Sequence, residues 1–316
     1  MQNLLGYIAR RILALLPVMG IVATIVFFLI HLIPGDPASV LLGPNAAPSD
    51  VLKLRAQMGL DKPLYHQFLL WFSNALQGDL GDSIFLGRSV TRSILERAEP
   101  TLVLITLSSI VAILIGIPAG ALAAVRPNKW LDKALMFTAI LGVSIPTFWF
   151  GIMLVDLFSV QLNWLPAAGY SSITSGIWAN LRYLILPALS LGFNQSALIA
   201  RICRSSMLEV MQQDYIRTAR SKGLAESLVI LKHALKNVMI PTVTVIGTTF
   251  AVLIGGAVVT EIVFNIPGIG LLIMNSVLRR DYPVIQGCVL FISVAYVLIN
   301  LLVDVLYAYL DPRVKY

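Results

Sequence analysis

Six apolar runs, near residues 10 to 33, 101 to 125, 134 to 161, 183 to 203, 240 to 263 and 284 to 310, are each long enough to cross about 30 Å of hydrocarbon. In lipid a chain must satisfy its own backbone polar groups, so such runs predict an all-α, polytopic membrane protein with six transmembrane helices. The composition agrees: 58% of the 316 residues are hydrophobic and only 12% charged, against about a quarter in soluble domains. The first run follows Arg10 and Arg11 as a signal peptide would. It spans 22 residues, Ile12 to Ile33, longer than the usual 7 to 15 or so of a signal core, and no A-x-A site follows, so it reads as a retained span.

The net charge of +7 becomes informative once it is placed relative to the spans. Six spans put both termini on one side. Fourteen of the 23 lysines and arginines fall on that side, at Arg10, Arg11, Arg126, Lys129, Lys133, Arg201, Arg204, Arg217, Arg220, Lys222, Lys232, Lys236, Arg313 and Lys315. The short loops opposite hold Arg182, Arg279 and Arg280. Cytoplasmic termini follow, and the positive charge is accounted for without nucleic acid.

Between the first two spans, residues 34 to 100 are too polar for lipid but carry amphipathic pieces. Leu52, Leu54 and Met58, then Tyr65, Phe68, Leu69 and Phe72, predict short helices punctuated by Gly and Pro. We expect a small extracytoplasmic subdomain on the outer mouth, too short to hold an enzyme core of its own. The organisation is then 1 to 33, N-terminus and first helix; 34 to 100, the outer subdomain; 101 to 310, a five-helix core with a loop at 204 to 239; and 311 to 316, a cytoplasmic tail.

Catalytic chemistry is hard to find. No G-x-x-x-x-G-K-[ST] loop occurs, so ATP-driven work would need a partner. There is no H-E-x-x-H or G-x-S-x-G, and His31, His66 and His233 are scattered. Cys203 and Cys288 lack metal-ligand spacing and are expected to be free thiols. Asp156, Glu261 and Asp304 lie towards span ends, at interfacial positions, and serve either a pathway or structural hydrogen bonds. Asn194 and Gln195 sit deeper in the fourth span, where they line a polar translocation path or bond between helices.

The most unusual stretch runs from Asp214 to Pro241, DYIRTARSKGLAESLVILKHALKNVMIP. Asp214 is expected to cap a short helix over Tyr215 to Lys222, with Arg220 and Lys222 at its negative end and Gly223 closing it in the left-handed conformation. A second helix begins near Glu226. Leu228, Leu231, Leu235 and Val238 form its apolar stripe, spaced three, four and three, with Lys232 and Lys236 solvated. Such an element either lies on anionic lipid or docks a cytoplasmic partner. The glycine turn favours docking, because a surface helix has no need to break there. Ala219 is then small because it meets the partner. Further on, FNIPGIGLL, Phe264 to Leu272, predicts a re-entrant or hairpin-like turn in which Pro267, Gly268 and Gly270 break the helix. Ile266, Ile269 and Leu271 seek apolar cover there, and the turn serves an outer gate.

RTARSKG, Arg217 to Gly223, resembles the EAA-x-x-x-G loop of importer-type ABC transporter permeases. Arg217 and Thr218 replace its first two residues, while Ala219 and Gly223 are retained. Lys236 stands where the family's proline would fall, and Pro241 comes five residues later. QMGLDKPLYHQF, GDLGDSI, VFNIPGIGLL, RDYPVIQG and YAYLDPRVKY extend the resemblance along nearly the whole chain, to the oligopeptide and dipeptide permeases in particular. The resemblance implies a type I importer permease fold and a bacterial inner-membrane location. It implies a heterodimer with a homologous permease, two cytoplasmic ATPases gripping the loops, and an extracytoplasmic solute-binding protein. No cofactor would be bound by this chain, with ATP and magnesium held by the ATPases. Asp214, Tyr215, Arg217, Thr218, Ala219, Arg220, Lys222 and Gly223 would carry the coupling, and the cargo would be di- or oligopeptides, glutathione or nickel chelates. An ion-coupled secondary transporter is the rival class. It requires inverted repeats and a mid-depth carboxylate, and neither is visible.

Overall fold

The computed structural model describes residues 2–32, 37–43, 46–57, 59–83 and 85–310. Among them thirteen α-helices succeed one another without a strand, apart from an isolated bridge between Asp82 and Ser89. These are α1 (Gln2–Leu32), α2 (Pro37–Leu42), α3 (Pro48–Gln57), α4 (Leu64–Leu76), α5 (Val90–Val125), α6 (Trp130–Ser144) and α7 (Thr147–Val155), then α8 (Ile177–Met211), α9 (Asp214–Ser221), α10 (Glu226–Leu228), α11 (Leu235–Val263), α12 (Ile269–Arg279) and α13 (Tyr282–Leu310). π-helical turns at Asp156–Gln161 and Val229–Ala234 extend α7 and join α10 to α11.

Among the described residues five helices are long and apolar enough to cross a membrane: α1, α5, α8, the run Glu226–Val263 and α13. The third apolar run differs from expectation. Instead of one rod it is two helices, α6 and the α7 segment, turned by 101° about Ser144 to Pro146, and it makes a sixth crossing only if the pair counts as one. Pro146 has no N–H to continue α6 and pushes Ile145 out of the helical region, to φ −83 and ψ 125. By contrast, Pro118, Pro187 and Pro241 sit inside continuous helices.

Contacts divide the chain into two units: 1–6, 100–267 and 298–316; and 7–99 with 268–297. The first is organised on α8, which packs against α6, α7 and α11. Leu184, Leu186, Leu191 and Ile199 of α8 are buried there. Small residues let the helices meet, as the Gly- and Ser-rich runs predict: a Cβ at Gly116 of α5 would lie 2.8 Å from Cβ of Ile199. Of the two roles expected for Glu261, the structure shows a structural hydrogen bond. Glu261 is wholly buried and accepts a 2.6 Å hydrogen bond from the Thr101 hydroxyl. Asp156 is exposed and takes a bond from Gln161 at 2.7 Å. The side chain of Asp304, Met58 and the tail 311–316 lie outside the described residues.

In the second unit Val90, Ile94, Ile269, Leu272, Val284 and Cys288 form the core. Phe68 and Trp71 of α4 pack on Phe27 of α1, with ring centroids 5.3 and 5.8 Å apart. α3 and α4 fall on the two amphipathic pieces read from sequence, and α2 is an addition to them. α5 starts at Val90 and runs through Pro100, so the end of the polar segment, with Arg92, Glu96, Arg97 and Glu99, is already helical, while the boundary between the two units falls at Glu99. Ser83, in GDLGDSI, donates a 2.5 Å hydrogen bond to Asp281, in RDYPVIQG, joining two segments far apart in sequence.

Beyond Val263 the helix stops. Asn265 adopts φ 48, and its successor Ile266 donates its N–H to Glu261 O at 2.9 Å, closing α11 in the left-handed manner. Of the turn expected over Phe264 to Leu272, the part from Phe264 to Gly268 is present and the rest is the start of α12, with Ile266 and Ile269 buried. Gly270 does not break helix, a correction: it is buried in the first turn of α12, where Gly268 precedes the helix as N-cap.

Candidate coupling site

The polar stretch folds as helix, glycine turn, helix, and its anchoring differs from the sequence reading in several places. The residue at the head of α9 is Gln213, with no side-chain cap. Asp214 is already inside the first turn, so the expected capping by Asp214 is corrected. Its carboxylate still favours the positive helix end and lies 3.5 Å from Arg217. Thr218 bonds back to the Asp214 carbonyl at 2.9 Å.

The other end follows expectation. Gly223 has φ +75, and its N–H reaches Arg220 O at 2.9 Å while Leu224 N–H reaches Ala219 O at 3.4 Å. These paired bonds consume two carbonyls that the helix end would leave open. A side chain at Gly223 would meet no atom within 4 Å, so the glycine is required by backbone angle rather than by space. Across the turn Arg220 forms a double hydrogen bond to Glu226, at 3.1 and 2.6 Å, which holds the guanidinium above its ordinary pKa. Only the helix-end role of Arg220 was legible in sequence. Tyr215 accepts a 2.7 Å bond from Asn237 on α11.

One face of α9 is seated in the chain's own core. Ile216 and Ala219 are buried among Ala124, Cys203, Met207, Val229, Ala234 and Val238. This corrects the expected reason for a small residue at 219, since Ala219 packs within the chain. The opposite face, with Asp214, Tyr215, Arg217, Thr218, Ser221 and Lys222, is exposed. The apolar stripe is also redrawn. The π turn at Val229–Ala234 carries an extra residue, so burial falls on Val229, Ala234 and Val238, five and then four apart. Leu228 and Leu231 are left exposed, Leu235 half-buried, and Lys232 and Lys236 in solvent as expected.

Sequence reading missed an ion pair between α6 and α8. Asp132, on α6, is buried and takes two bonds from Arg204 of α8, at 2.6 and 2.7 Å, and one from the Asn128 N–H at 2.8 Å. The lone acid in a basic loop was its only sequence signal. Asn194 and Gln195 are half-buried in α8. Asn194 donates to Gly142 O at 2.9 Å, and Gln195 leans on the Asn194 oxygen at 3.5 Å.

Among the described residues, an all-helical chain with several membrane-length helices has the build of a multi-pass membrane protein. The chain belongs to the family described as binding-protein-dependent transport system inner membrane component, which its residues 116–316 match. Residues 4–90 match the corresponding N-terminal family. It is thus an ABC importer inner-membrane permease component, a multi-pass membrane protein. Over 313 residues it is 46% identical to the glutathione transport system permease protein GsiC of Escherichia coli strain K12, covering 99% of this chain and 100% of the relative. The same identity and coverage hold for GsiC of Shigella flexneri serotype 5b. Among solved structures, the inward-facing MetNI methionine ABC transporter matches with a TM-score of 0.58 at 18% identity, over 69% of this chain and 96% of that one. An amino acid ABC transporter with histidines matches at TM-score 0.50 and 16% identity, over 71% and 95%. These last two likenesses are of fold: a type I importer permease.

Proposed function

We propose that this chain forms half of the translocation channel of an ATP-driven, binding-protein-dependent importer, paired with a homologous permease and driven through α9 by two cytoplasmic ATPases. The observation that carries the coupling role is the seating of α9. A helix of eight residues is too short to persist alone. This one is held by core packing at Ile216 and Ala219, by Asn237 and by the Arg220–Glu226 pair, with its other face presented. That is what a partner's groove requires in order to push on the spans. Topology follows from the charge distribution, with both termini and α9 cytoplasmic and 34 to 100 outside, facing the solute-binding protein. The turn at Pro267 and Gly268, with Gly270 behind it, serves the outer gate.

The cargo we propose is a short peptide. Glutathione is itself a tripeptide, and it is the cargo named for the 46% identical relatives, so it is the first to test, with dipeptides second and nickel chelates third. Selection lies largely in the solute-binding protein.

The experiment is transport by Gly223→Val in vesicles reconstituted with both permeases, the ATPases and the binding protein. Valine at φ +75 is strained by about 1 kcal/mol or more but meets no neighbour, so the variant should insert and accumulate. Uptake and binding-protein-stimulated ATP hydrolysis should both fall to background. Full transport would end the docking reading. It would leave the lipid-surface alternative, under which neutralising Arg217, Arg220 and Lys222 together releases the segment from anionic membranes.

A further inference from the structure

The 101° turn in the third apolar run lies within sequence that reads as membrane-embedded, where an unmet carbonyl costs several kcal/mol. In an uninterrupted helix Gly142 O would accept the N–H four residues on. That residue is Pro146, which has none. The Asn194 amide stands in its place, donating to Gly142 O at 2.9 Å. Because a carbonyl only accepts, the amide must present its nitrogen there and its oxygen to Gln195, whose Nε2 lies 3.5 Å away. The preceding residue, Phe193, grips both sides of the break. Its ring packs on Phe150 of α7, with centroids 5.1 Å apart and planes tilted by 37°, and on the α6 side it lies where a Cβ at Gly142 would be 3.1 Å from it. Gly142 is therefore bare of side chain where α8 closes on α6.

We infer that Phe193, Asn194 and Gln195 form a clasp that holds the third span broken at Ser144 to Pro146, with Asn194 acting as a positioning residue for α7 rather than as a ligand for cargo. The amide makes the break stable in lipid by replacing the hydrogen bond that proline removes. Phe193 sets the direction in which α7 leaves. α6 is tied to α8 a second time, through Asp132 and Arg204.

The role in transport rests on the permease reading, but the clasp can be tested by distance alone. Spin labels at Trp130 and Val160, both exposed, would sit at the two ends of the broken run, in a background with Cys203 and Cys288 replaced by alanine. Two arms turned by 101° from a straight course put the labelled positions about 26 Å apart, against about 45 Å for one straight helix from Trp130 to Val160. The unaltered clasp should give the short distance, and Asn194→Leu should broaden it and shift it upward. Pro146→Ala returns an N–H to the position Gly142 needs, so adding Asn194→Leu to it should move the distance no further. If Asn194→Leu alone fails to accumulate, Pro146→Ala should restore its abundance. An unchanged short distance in Asn194→Leu, or a failure of Pro146→Ala to make residue 194 dispensable, would overturn the clasp, and neither outcome touches the permease assignment.

Discussion

At the scale of single residues, the pair Asp132 and Arg204 shows how a charge is kept in a dry setting. Asp132 keeps only 4% of its side-chain exposure and survives as a carboxylate through three donors, two of them from one guanidinium. Removing Arg204 leaves a buried charge unmet, which costs about 3 to 5 kcal/mol in fully buried cases and less here because Arg204 is a quarter exposed. Arg204→Ala and Asp132→Ala should each lower the melting temperature of the purified protein, and the double variant should melt no lower than the worse single. Additive losses would show that the two side chains act independently. Arg204→Lys should not restore the wild-type value, since an ammonium cannot supply the forked pair of bonds.

The elements show a register set by a π turn. Were the segment after Glu226 an ordinary α-helix, Leu228, Leu231, Leu235 and Val238 would share the buried face. The extra residue in Val229–Ala234 instead sends Val229 to full burial and leaves Leu231 66% exposed. Two asparagine substitutions separate the registers. Val229→Asn buries an amide with no partner, at a cost of about 1 to 3 kcal/mol, and should reduce both yield and melting temperature. Leu231→Asn should leave both near wild type. The reverse order would mean that the α-helical register is the one populated. The seat of α9 belongs to the same scale. Ile216→Ala empties a fully buried position and should cost about 2 to 5 kcal/mol of local stability. Hydrogen exchange should then quicken across Asp214–Ser221 while the spans keep their protection.

For the whole molecule the open quantity is which way the bundle faces. Neither unit contains a marker of sidedness, so the argument is the excess of lysine and arginine on the loops that share a side with the termini. Ser49, exposed at the start of α3, reports on the opposite side. As a single cysteine in a Cys203→Ala, Cys288→Ala background it should react with an impermeant thiol reagent on intact cells. Labelling only after the membrane is ruptured would reverse the topology and with it the proposed docking of partner ATPases on α9.

Hydropathy alone determined the helical class and the number of apolar runs, because a lipid-embedded backbone must pair with itself and length is then the sole requirement. The turn at Gly223 was equally legible, since a left-handed φ is a local property of one residue. What needed the tertiary structure was every feature whose partner lies far along the chain. Asp132 meets Arg204 across 72 positions, Asn194 meets Gly142 across 52, and Thr101 meets Glu261 across 160. Ala219 shows the same limit: its size was evident, but whether it faced a partner or the chain's own core depended on Cys203, Met207 and Val238 arriving from other helices. Periodicity reports which face of a helix is apolar; it carries no record of what packs there, or of a π turn that rotates the face by one residue.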